Sequence, residues 1–295
     1  MKPFILLLAL LLIFSCKNNE KPRGKKITIP NYEKLALLDV PLGEIKDGDW
    51  LQQHLEAGQT FQQYLAKKPV TVSEDHNVIY LQPIGTFTQE QQKVMDLNSE
   101  YIGLFFGLKT IVLEPINEDE IPKENKRIQF ETEQLDASYI IDEILKGVMP
   151  NDGIAMMALT AKDLYPRPDW NFVFGLASYS KRMGVTSIFR FSDTELTSQN
   201  YSQCLNRLIK TSTHEIGHMF TIAHCTHASC LMNGSNHLVE LDSRPNALCS
   251  VCLAKLSWNL NFDNVMRLEK LISFCKKHKL DSDALVLQKQ LEAIK

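Results

Sequence analysis

The segment HEIGHMFTIAHC, residues 214–225, decides how the rest of the chain is interpreted. His214 and His218 are four residues apart, so on a helix their imidazoles lie one turn apart on one face and can bind the same metal ion. Glu215 then lies beside the metal, where its carboxylate can take a proton from water bound to zinc. His224 completes a set of three nitrogen ligands and leaves the fourth position open for that water. An open position is typical of catalytic zinc sites, whereas structural sites are closed.

The bulk composition excludes few classes of protein. The chain has 295 residues, of which 44% are hydrophobic, and this suits one large globular domain or two small ones. A formal net charge of -3 gives no reason to expect a nucleic acid or an anionic membrane surface as a partner. We therefore predict that the protein does not bind nucleic acid.

The first residues of the chain have the pattern of an export signal. Lys2 precedes an apolar run over residues 4–14, and Ser15 and Cys16 follow it. The run is shorter than the ~20 residues that span a bilayer. Its last residues and their flank, Ile-Phe-Ser-Cys, resemble the cleavage box of a bacterial lipoprotein, so we predict a signal peptide over residues 1–15.

Cleavage at this box would make Cys16 the lipid-bearing first residue of the mature protein. The polar stretch after it predicts a tether over residues 16–36. The protein would then be an exported bacterial lipoprotein, anchored to a membrane through Cys16 on the periplasmic or cell-surface side. An ordinary secretory signal or an uncleaved membrane anchor is the alternative.

From Ile79 onward the sequence alternates strand-like and helix-like segments. Thr88 and Gln91 form a capping-box pattern ahead of a helix, and Gly107 is a suitable residue to end it. The last two strand candidates are joined by a short polar segment, which suggests an antiparallel pair in an otherwise mainly parallel sheet. The predicted strands are 79–82, 109–113, 154–160, 171–177 and 185–191. The predicted helices are 88–107, 133–145, one from about 201 through the histidine motif, 264–278 and 283–293.

With the motif on a helix behind this sheet, the chain resembles the archaemetzincins, a family of metzincin metallopeptidases. The family pattern is HExxHxxGxxHC, four residues, Cys, one residue, Met, a spacer and CxxC. This sequence has HEIGHMFTIAHC, THAS, then Cys230, Leu231, Met232, a spacer and Cys249-Ser-Val-Cys252. Further similar runs are GDWL at 48, GQTFQQYL at 58, YLQPIG at 80, DLYP at 163 and LMNGSNH at 231. The resemblance covers the chain from about residue 37 to its end.

The resemblance implies a fold of the α/β (α+β) class with two subdomains on either side of a cleft. The upper one, residues 37–224, would contain a mixed, mainly parallel sheet with backing helices and the active-site helix. The smaller lower one, residues 225–295, would contain the four-cysteine site and the closing helices. A peptide or protein substrate would bind in the cleft, and we expect the protein to be a monomer.

The resemblance also implies two zinc ions per chain, one catalytic and one structural. Three imidazoles would bind the catalytic zinc: His214, His218 and His224. Glu215 would act as general base while zinc-bound water hydrolyses a peptide bond. Four thiolates would bind the structural zinc: Cys225, Cys230, Cys249 and Cys252. Met232 matches the methionine turn beneath the catalytic metal, and because Cys225 directly follows His224, the structural site would hold the third catalytic ligand in place.

Thr221 departs from the family pattern, since metzincins carry glycine at this bend between the helix and the third histidine. Glycine permits a positive φ, which a β-branched residue resists. A threonine in that conformation costs about 1 to 3 kcal/mol, whereas a structural zinc site contributes about 10 to 16 kcal/mol of binding free energy. We predict that Thr221 is compatible with metal binding and leaves the strength of catalysis open.

Three alternatives use the same residues. In an exported protein two disulfides could replace the cysteine zinc site, because a CxxC motif suits either chemistry. A membrane-tethered binding or scaffold protein could retain the zinc fold with weak or no catalysis, and Thr221 motivates that alternative. Hydrolysis of a non-peptide amide would require the same ligands and base.

Three residues between the predicted strands are candidates for the substrate cleft. Asp163, Trp170 and Phe172 could shape it, as edge strands do when they pair with an extended peptide. Aromatic residues at strand spacing more often belong to the core, so we predict packing roles for Trp170 and Phe172. No tyrosine can be assigned from the sequence as a stabiliser of the developing oxyanion.

Overall fold

Two β-sheets and a set of helices form the part of the chain that the computed structural model describes, which is Gly24, residues 26–192 and residues 194–295. The strands are β1 (Val78–Ile84), β2 (Lys109–Val112), β3 (Lys126–Gln129), β4 (Thr132–Asp136), β5 (Gly153–Thr160), β6 (Asp163–Tyr165), β7 (Gly175–Ser178) and β8 (Met183–Ser187). The larger sheet has the order β2-β1-β5-β8-β7, and all neighbours are parallel except β7, which is antiparallel to β8. The mainly parallel sheet and its antiparallel pair are therefore confirmed.

The central strands are mostly apolar because both faces of the larger sheet are covered. All seven residues of β1 and all eight of β5 are buried. Along β1, Ile79 and Leu81 belong to one apolar cluster, whereas Val78 and Tyr80 belong to another on the opposite face. The alternation follows from the two-residue period of a strand.

Helices cover the sheet and continue to the C-terminus of the chain. In the described residues they are α1 (Tyr32–Ala36), α2 (Trp50–Gln53), α3 (Phe61–Ala66), α4 (Gln89–Phe106), α5 (Ala137–Tyr139), α6 (Tyr201–Met219), α7 (Leu238–Ser243), α8 (Ser250–Leu260), α9 (Asn264–Lys277) and α10 (Asp281–Ile294). The capping box ahead of α4 is confirmed: the Thr88 hydroxyl accepts from the Gln91 N–H, and the Gln91 side chain accepts from the Thr88 N–H. Gly107 ends α4 at φ 63°, as expected.

The predicted helix over residues 133–145 is wrong in its first part. Residues Thr132–Asp136 form β4, which pairs with β3 in a hairpin. Phe130 and Glu131 at its turn both have positive φ, which such two-residue turns require. These residues are not the Asn-Gly or Asp-Gly pairs that normally identify the turn, so the hairpin has no recognisable sequence signal. A short helix and a π-helical turn, Ile140–Ile144, follow β4.

Two of the predicted strands are shorter than expected. The strand predicted over 171–177 begins at Gly175, and the strand predicted over 185–191 ends at Ser187, after which Phe189–Phe191 form a 3-10 turn. The residues before β7 instead form a loop beside the cleft described below.

Only part of the N-terminal segment for which predictions were made lies within the described residues. The predicted signal peptide and Cys16 lie outside the described residues. Within the predicted tether, Ile29 and Leu35 are buried in the main apolar cluster, and α1 packs on α8 and α10. The packed part of the protein therefore begins before residue 37. No helix in the described part of the chain has the length and apolar character needed to cross a bilayer.

One apolar cluster extends through both predicted subdomains. It contains Ile79 and Phe105 from the sheet side together with Cys225, Leu253 and Leu268 from the C-terminal part. Helix α4 contacts both α6 and α9. The helix that carries the histidine pair is therefore packed against the rest of the protein on several sides.

Candidate active site

Helix α6 carries the histidine pair in its last two turns. It packs against β5, β7 and β8 on one side and against α4 on another. Gly217 lies between His214 and His218, and a Cβ atom added there would come within 2.6 Å of Met232 Sδ. Met232 is buried and packs directly on the turn that joins the two histidines, so glycine at 217 is required for this close approach.

The chain turns sharply after α6 because Thr221 adopts a φ of 68°. The Ile222 N–H donates to the Gly217 carbonyl oxygen across this turn. The side-chain amide of Gln59 then binds both sides of the bend: Nε2 donates to the Thr221 carbonyl oxygen at 3.1 Å, and Oε1 accepts from the Ala223 N–H at 3.2 Å. Two hydrogen bonds from a distant segment thus offset part of the strain in the threonine backbone.

The structure brings His214, His218 and His224 together, with ring centroids 4.6 to 5.2 Å apart. His214 Nδ1 lies 2.9 Å from the Leu231 carbonyl oxygen, and His218 Nδ1 lies 2.7 Å from the Ile222 carbonyl oxygen. Because a carbonyl oxygen only accepts, each Nδ1 carries the proton and each Nε2 has a free lone pair.

The spacing of the free nitrogens fits a zinc ion. His214 Nε2 and His218 Nε2 are 3.0 Å apart, and ligand atoms of all three histidines lie within 4.8 Å of one another. Tetrahedral zinc with Zn–N bonds of ~2.0 Å would require N–N distances of about 3.3 Å. Small side-chain movements would therefore complete the ligand set.

Burial determines the charge of the groups in this cluster. It lowers the pKa of His214 to about 3 and holds the pKa of His218 well below its usual range, so both imidazoles are neutral and able to bind a metal. Burial also raises the pKa of Glu215 to about 8. A divalent cation nearby acts in the opposite direction and favours the carboxylate.

Two residues at the histidine cluster were not identified from the sequence. Glu56 lies with its carboxylate oxygens 2.8 and 3.0 Å from His224 Nδ1, so it orients this imidazole as the carbonyl groups orient the other two. Tyr179 Oη lies 2.9 Å from His218 Nδ1, and burial raises the pKa of this phenol. Neither residue has a local sequence signal, because each contact depends on how distant segments pack.

A cleft of about 500 Å³ opens onto the histidines and Glu215. The loop before β7 carries Trp170 and Phe172 to the wall of this cleft. The predicted packing role is wrong for Trp170, whereas Phe172 also packs against the main apolar cluster. Asp163 does not line it: this residue is fully buried and pairs with Arg190 at 2.7 Å.

Strand β7 borders the cleft and positions Glu215. It is an edge strand of the larger sheet, and Gly175, Leu176 and Ala177 line the cleft. A Cβ atom at Gly175 would come within 2.9 Å of Glu215 Cγ. The missing side chain at 175 therefore makes room for the carboxylate next to the histidines.

The four cysteines of the motif form a second cluster beneath the first. All are buried free thiols, and the sulfur atoms lie within 4.8 Å of one another. Cys225 Sγ and Cys249 Sγ are 3.6 Å apart, close to the S–S distance of about 3.8 Å expected around tetrahedral zinc with Zn–S bonds of 2.3 Å. The spacing of the sulfur atoms fits a tetrahedral metal ion, and the four cysteines are not disulfide-bonded in this arrangement.

Backbone N–H groups donate hydrogen bonds to one of the four sulfur atoms. The Cys249 N–H donates to Cys230 Sγ at 3.2 Å, and the Met232 N–H approaches the same sulfur at 3.4 Å. Hydrogen bonds from the neighbouring cysteines lower the pKa of Cys225, whereas burial raises the pKa of Cys230 and the hydrogen bond with Cys225 raises the pKa of Cys252. Several buried sulfur atoms at such short distances are stable together when a cation binds them.

Short hydrogen bonds join the two clusters. The Cys225 N–H donates to the Met232 carbonyl oxygen at 2.7 Å. Asn233 donates through Nδ2 to the Cys225 carbonyl oxygen and accepts through Oδ1 from the Cys230 N–H, both at 2.7 Å. The residue that follows His224 is thereby held by the loop that carries the methionine.

Neutral imidazoles that converge beside a carboxylate in a cleft can bind a divalent cation and transfer protons, which is the chemistry of metal-dependent hydrolases. The fold and the site therefore place the chain in that class. The separate cluster of four thiols restricts this class to hydrolases that have a cysteine metal site as well, since a catalytic zinc site seldom requires such a cluster.

Comparisons with known proteins agree with this class. The model of peptidase family M54 matches residues 124–258. Archaemetzincin-2 of Rattus norvegicus is 33% identical over 298 residues, covering 86% of this chain and 82% of that protein, and the Homo sapiens protein is 33% identical over 79% and 74%. The crystal structure of archaemetzincin from Methanopyrus kandleri is similar with a TM-score of 0.52 at 27% identity, covering 65% of this chain and 100% of that one. The chain belongs to the archaemetzincin family and is a zinc metallopeptidase.

Proposed function

We propose that the chain hydrolyses peptide bonds in the cleft, with a catalytic zinc ion held by His214, His218 and His224. The observation that carries this proposal is the set of three Nδ1 contacts, which leaves the three Nε2 atoms free to bind a metal in a cluster that lines the same cleft as Glu215. A bound zinc ion would supply Lewis acidity, which activates water and polarises the scissile carbonyl group.

The residues of the chain carry the proton transfers. Glu215 accepts a proton from the attacking water and returns it to the amine of the leaving peptide. The outer edge of β7 is free to pair with an extended peptide, since β8 occupies its other side. Such pairing would place the carbonyl of the substrate across from Glu215 and the histidines.

We further propose that each chain binds two zinc ions, the second through Cys225, Cys230, Cys249 and Cys252. Its role is structural, because all four sulfur atoms are buried and no open ligand position reaches the cleft. Elemental analysis of the purified protein should give two zinc ions per chain. Thiol titration after unfolding in chelator should detect the cysteine thiols, whereas disulfides would leave four of them undetected.

A peptide library tests the proposed reaction. Purified protein should cleave library peptides, lose this activity in a chelator and regain it when zinc is added. Glu215→Ala should keep zinc and lose the activity. A wild-type protein that binds two zinc ions and cleaves no peptide would instead support the alternative, a binding or scaffold protein that retains the zinc fold.

For the N-terminus, we propose that Cys16 carries a lipid that anchors the exported protein to a membrane. The support is the sequence of the signal-like segment alone. Expression with a radiolabelled fatty acid in a bacterial host tests it: the wild type should incorporate label and sediment with membranes, and Cys16→Ala should do neither. Sedimentation of unlabelled wild-type protein with membranes would favour an uncleaved anchor.

A further inference from the structure

Positive charge dominates the walls of the cleft. Arg167, Lys210 and Arg244 line it, whereas Glu215 is the only carboxylate among the described lining residues. Since the proposed reaction uses Glu215 for proton transfer, the other side chains of fixed charge among the described lining residues are all cationic. A surface of this kind favours anionic groups on its partner.

Lys210 and Arg244 both line one end of the cleft, near the Leu241 carbonyl oxygen. Lys210 Nζ donates to this oxygen at 2.9 Å, and the backbone N–H of Arg244 donates to it at 3.2 Å. Lys210 precedes His214 by one turn on α6, so this end adjoins the histidine cluster. Arg167, by contrast, is exposed.

The acidic groups behind this end of the cleft already have partners. Glu240 accepts hydrogen bonds from backbone N–H groups, and its closest approach to Arg244 Nη2 is 3.5 Å. Asp242 binds Arg207 at 2.6 Å, and Asp283 accepts from a backbone N–H at 2.9 Å. The positive charge that faces the cleft is therefore only partly compensated.

The same end has unused hydrogen-bonding groups and an apolar wall. Arg244 Nε and Ser235 Oγ are buried and have no hydrogen-bond partner among the described residues. An unsatisfied buried donor is unfavourable, and a carboxylate binds a guanidinium group with two parallel hydrogen bonds. Phe174, Leu231 and Leu241 supply apolar contacts for the methylene groups of a side chain.

We propose that this end of the cleft, formed by Arg244 and Lys210, is a specificity subsite for an acidic side chain of the substrate close to the cleaved bond. Glutamate fits it better than aspartate, because the apolar wall contacts the extra methylene group. The proposal rests on the proposed peptidase function, since it names the substrate class of the same cleft.

Kinetics on matched peptides test the subsite. Once mass spectrometry has located a cleavage site, peptides are made with Glu, Gln or Lys at each of three positions on either side of the bond. At one position we expect kcat/KM for Glu to exceed that for Gln by about tenfold or more, as a charge-assisted pair predicts, with Lys below Gln. Equal values for Glu and Gln at every position would overturn the proposal.

Substitutions test whether the preference for Glu over Gln depends on the subsite. Arg244→Gln should reduce the Glu-to-Gln ratio of kcat/KM to near unity. Arg244→Lys, which keeps the charge but not the fork geometry, should give an intermediate ratio. Lys146→Gln removes an exposed cation elsewhere and should leave the ratio unchanged. A ratio in folded Arg244→Gln equal to that of the wild type would contradict the assignment.

A binding measurement separates failure of the subsite from failure of the peptidase proposal. Glu215→Ala retains the cleft, and Trp50 and Trp170 line it, so tryptophan fluorescence reports peptide binding. Tighter binding of the Glu peptide than of the Gln peptide supports the subsite, even if the wild type cleaves nothing. Equal affinities for the two peptides would overturn the subsite, whatever the outcome for hydrolysis.

Discussion

The histidine cluster and the cysteine cluster are adjacent in the chain, since Cys225 directly follows His224, yet their surroundings differ. The histidines line a cleft with Glu215 and three basic residues. The cysteines are buried in the main apolar cluster and do not line that cleft. Access to solvent, more than the identity of the metal, therefore distinguishes a site suited to catalysis from one that stabilises the fold.

The largest expected effect comes from a substitution in the cysteine cluster. Cys252→Ser should abolish folding or lower the melting temperature by tens of degrees, because structural zinc contributes about 10 to 16 kcal/mol and a domain is stable by only about 5 to 15 kcal/mol. Zinc content and thermal unfolding measure this. Cys204→Ala, a buried cysteine outside the cluster, is the control and should keep both metals.

If Cys252→Ser binds two zinc ions and has the wild-type melting temperature, the proposed difference between the structural and the catalytic cluster is contradicted. The same experiment on Cys225→Ser is informative for the neighbouring site. Loss of zinc from the histidines in this variant would show that the cysteine cluster positions His224.

A substitution at the histidine site should lower the activity of the protein without lowering its stability. Glu215→Ala removes the proton acceptor and should lower kcat by about 10² to 10⁴-fold, while zinc content and melting temperature remain close to those of the wild type. Glu143→Ala, at an exposed position, is the matched control. Peptide cleavage by Glu215→Ala at the wild-type rate would exclude the proposed mechanism.

A smaller and selective effect is expected at Glu56. Glu56→Ala removes the carboxylate that orients His224 and should weaken zinc binding at the histidines by about 10 to 100-fold, the usual effect of losing such a contact. Glu56→Gln keeps an acceptor for Nδ1 and should be milder. Titration with a zinc-binding dye should show one weakened ion and one unchanged. Equal weakening of both ions would contradict the assignment of Glu56 to the histidine site alone.

The smallest effect is expected at the bend between the two clusters. Thr221→Gly should relieve backbone strain and raise the free energy of unfolding by about 1 kcal/mol, with no change in zinc content. Chemical denaturation of the single variants and of the double variant with Gln59→Ala measures this. We expect the Gln59→Ala change to cost less when residue 221 is glycine, because the amide then no longer supports a strained turn.

Loss of zinc from the wild type but not from Thr221→Gly would overturn the view that the threonine is compatible with metal binding. Additive effects of the two substitutions would show that Gln59 does not act on the bend.

Local patterns predicted much of the fold because their signals lie within a few residues of each other. The capping box at Thr88 and Gln91 and the glycine after α4 were read from the sequence and are confirmed. The β3–β4 hairpin was missed because Phe130 and Glu131 adopt a left-handed conformation that neither residue type indicates. Trp170 was placed in the core because aromatic content alone does not distinguish a core from the wall of a cleft.

The sequence by itself determined the family and the helical histidine pair, since a four-residue spacing on a helix sets the relative position of two side chains without reference to the rest of the chain. Only the tertiary structure decided that Glu56 orients His224, that Gln59 supports the bend at Thr221 and that Arg244 and Lys210 line the same cleft. Residues up to 168 positions apart make these contacts. Their approach depends on the packing of the entire core, for which no short stretch of sequence carries a signal.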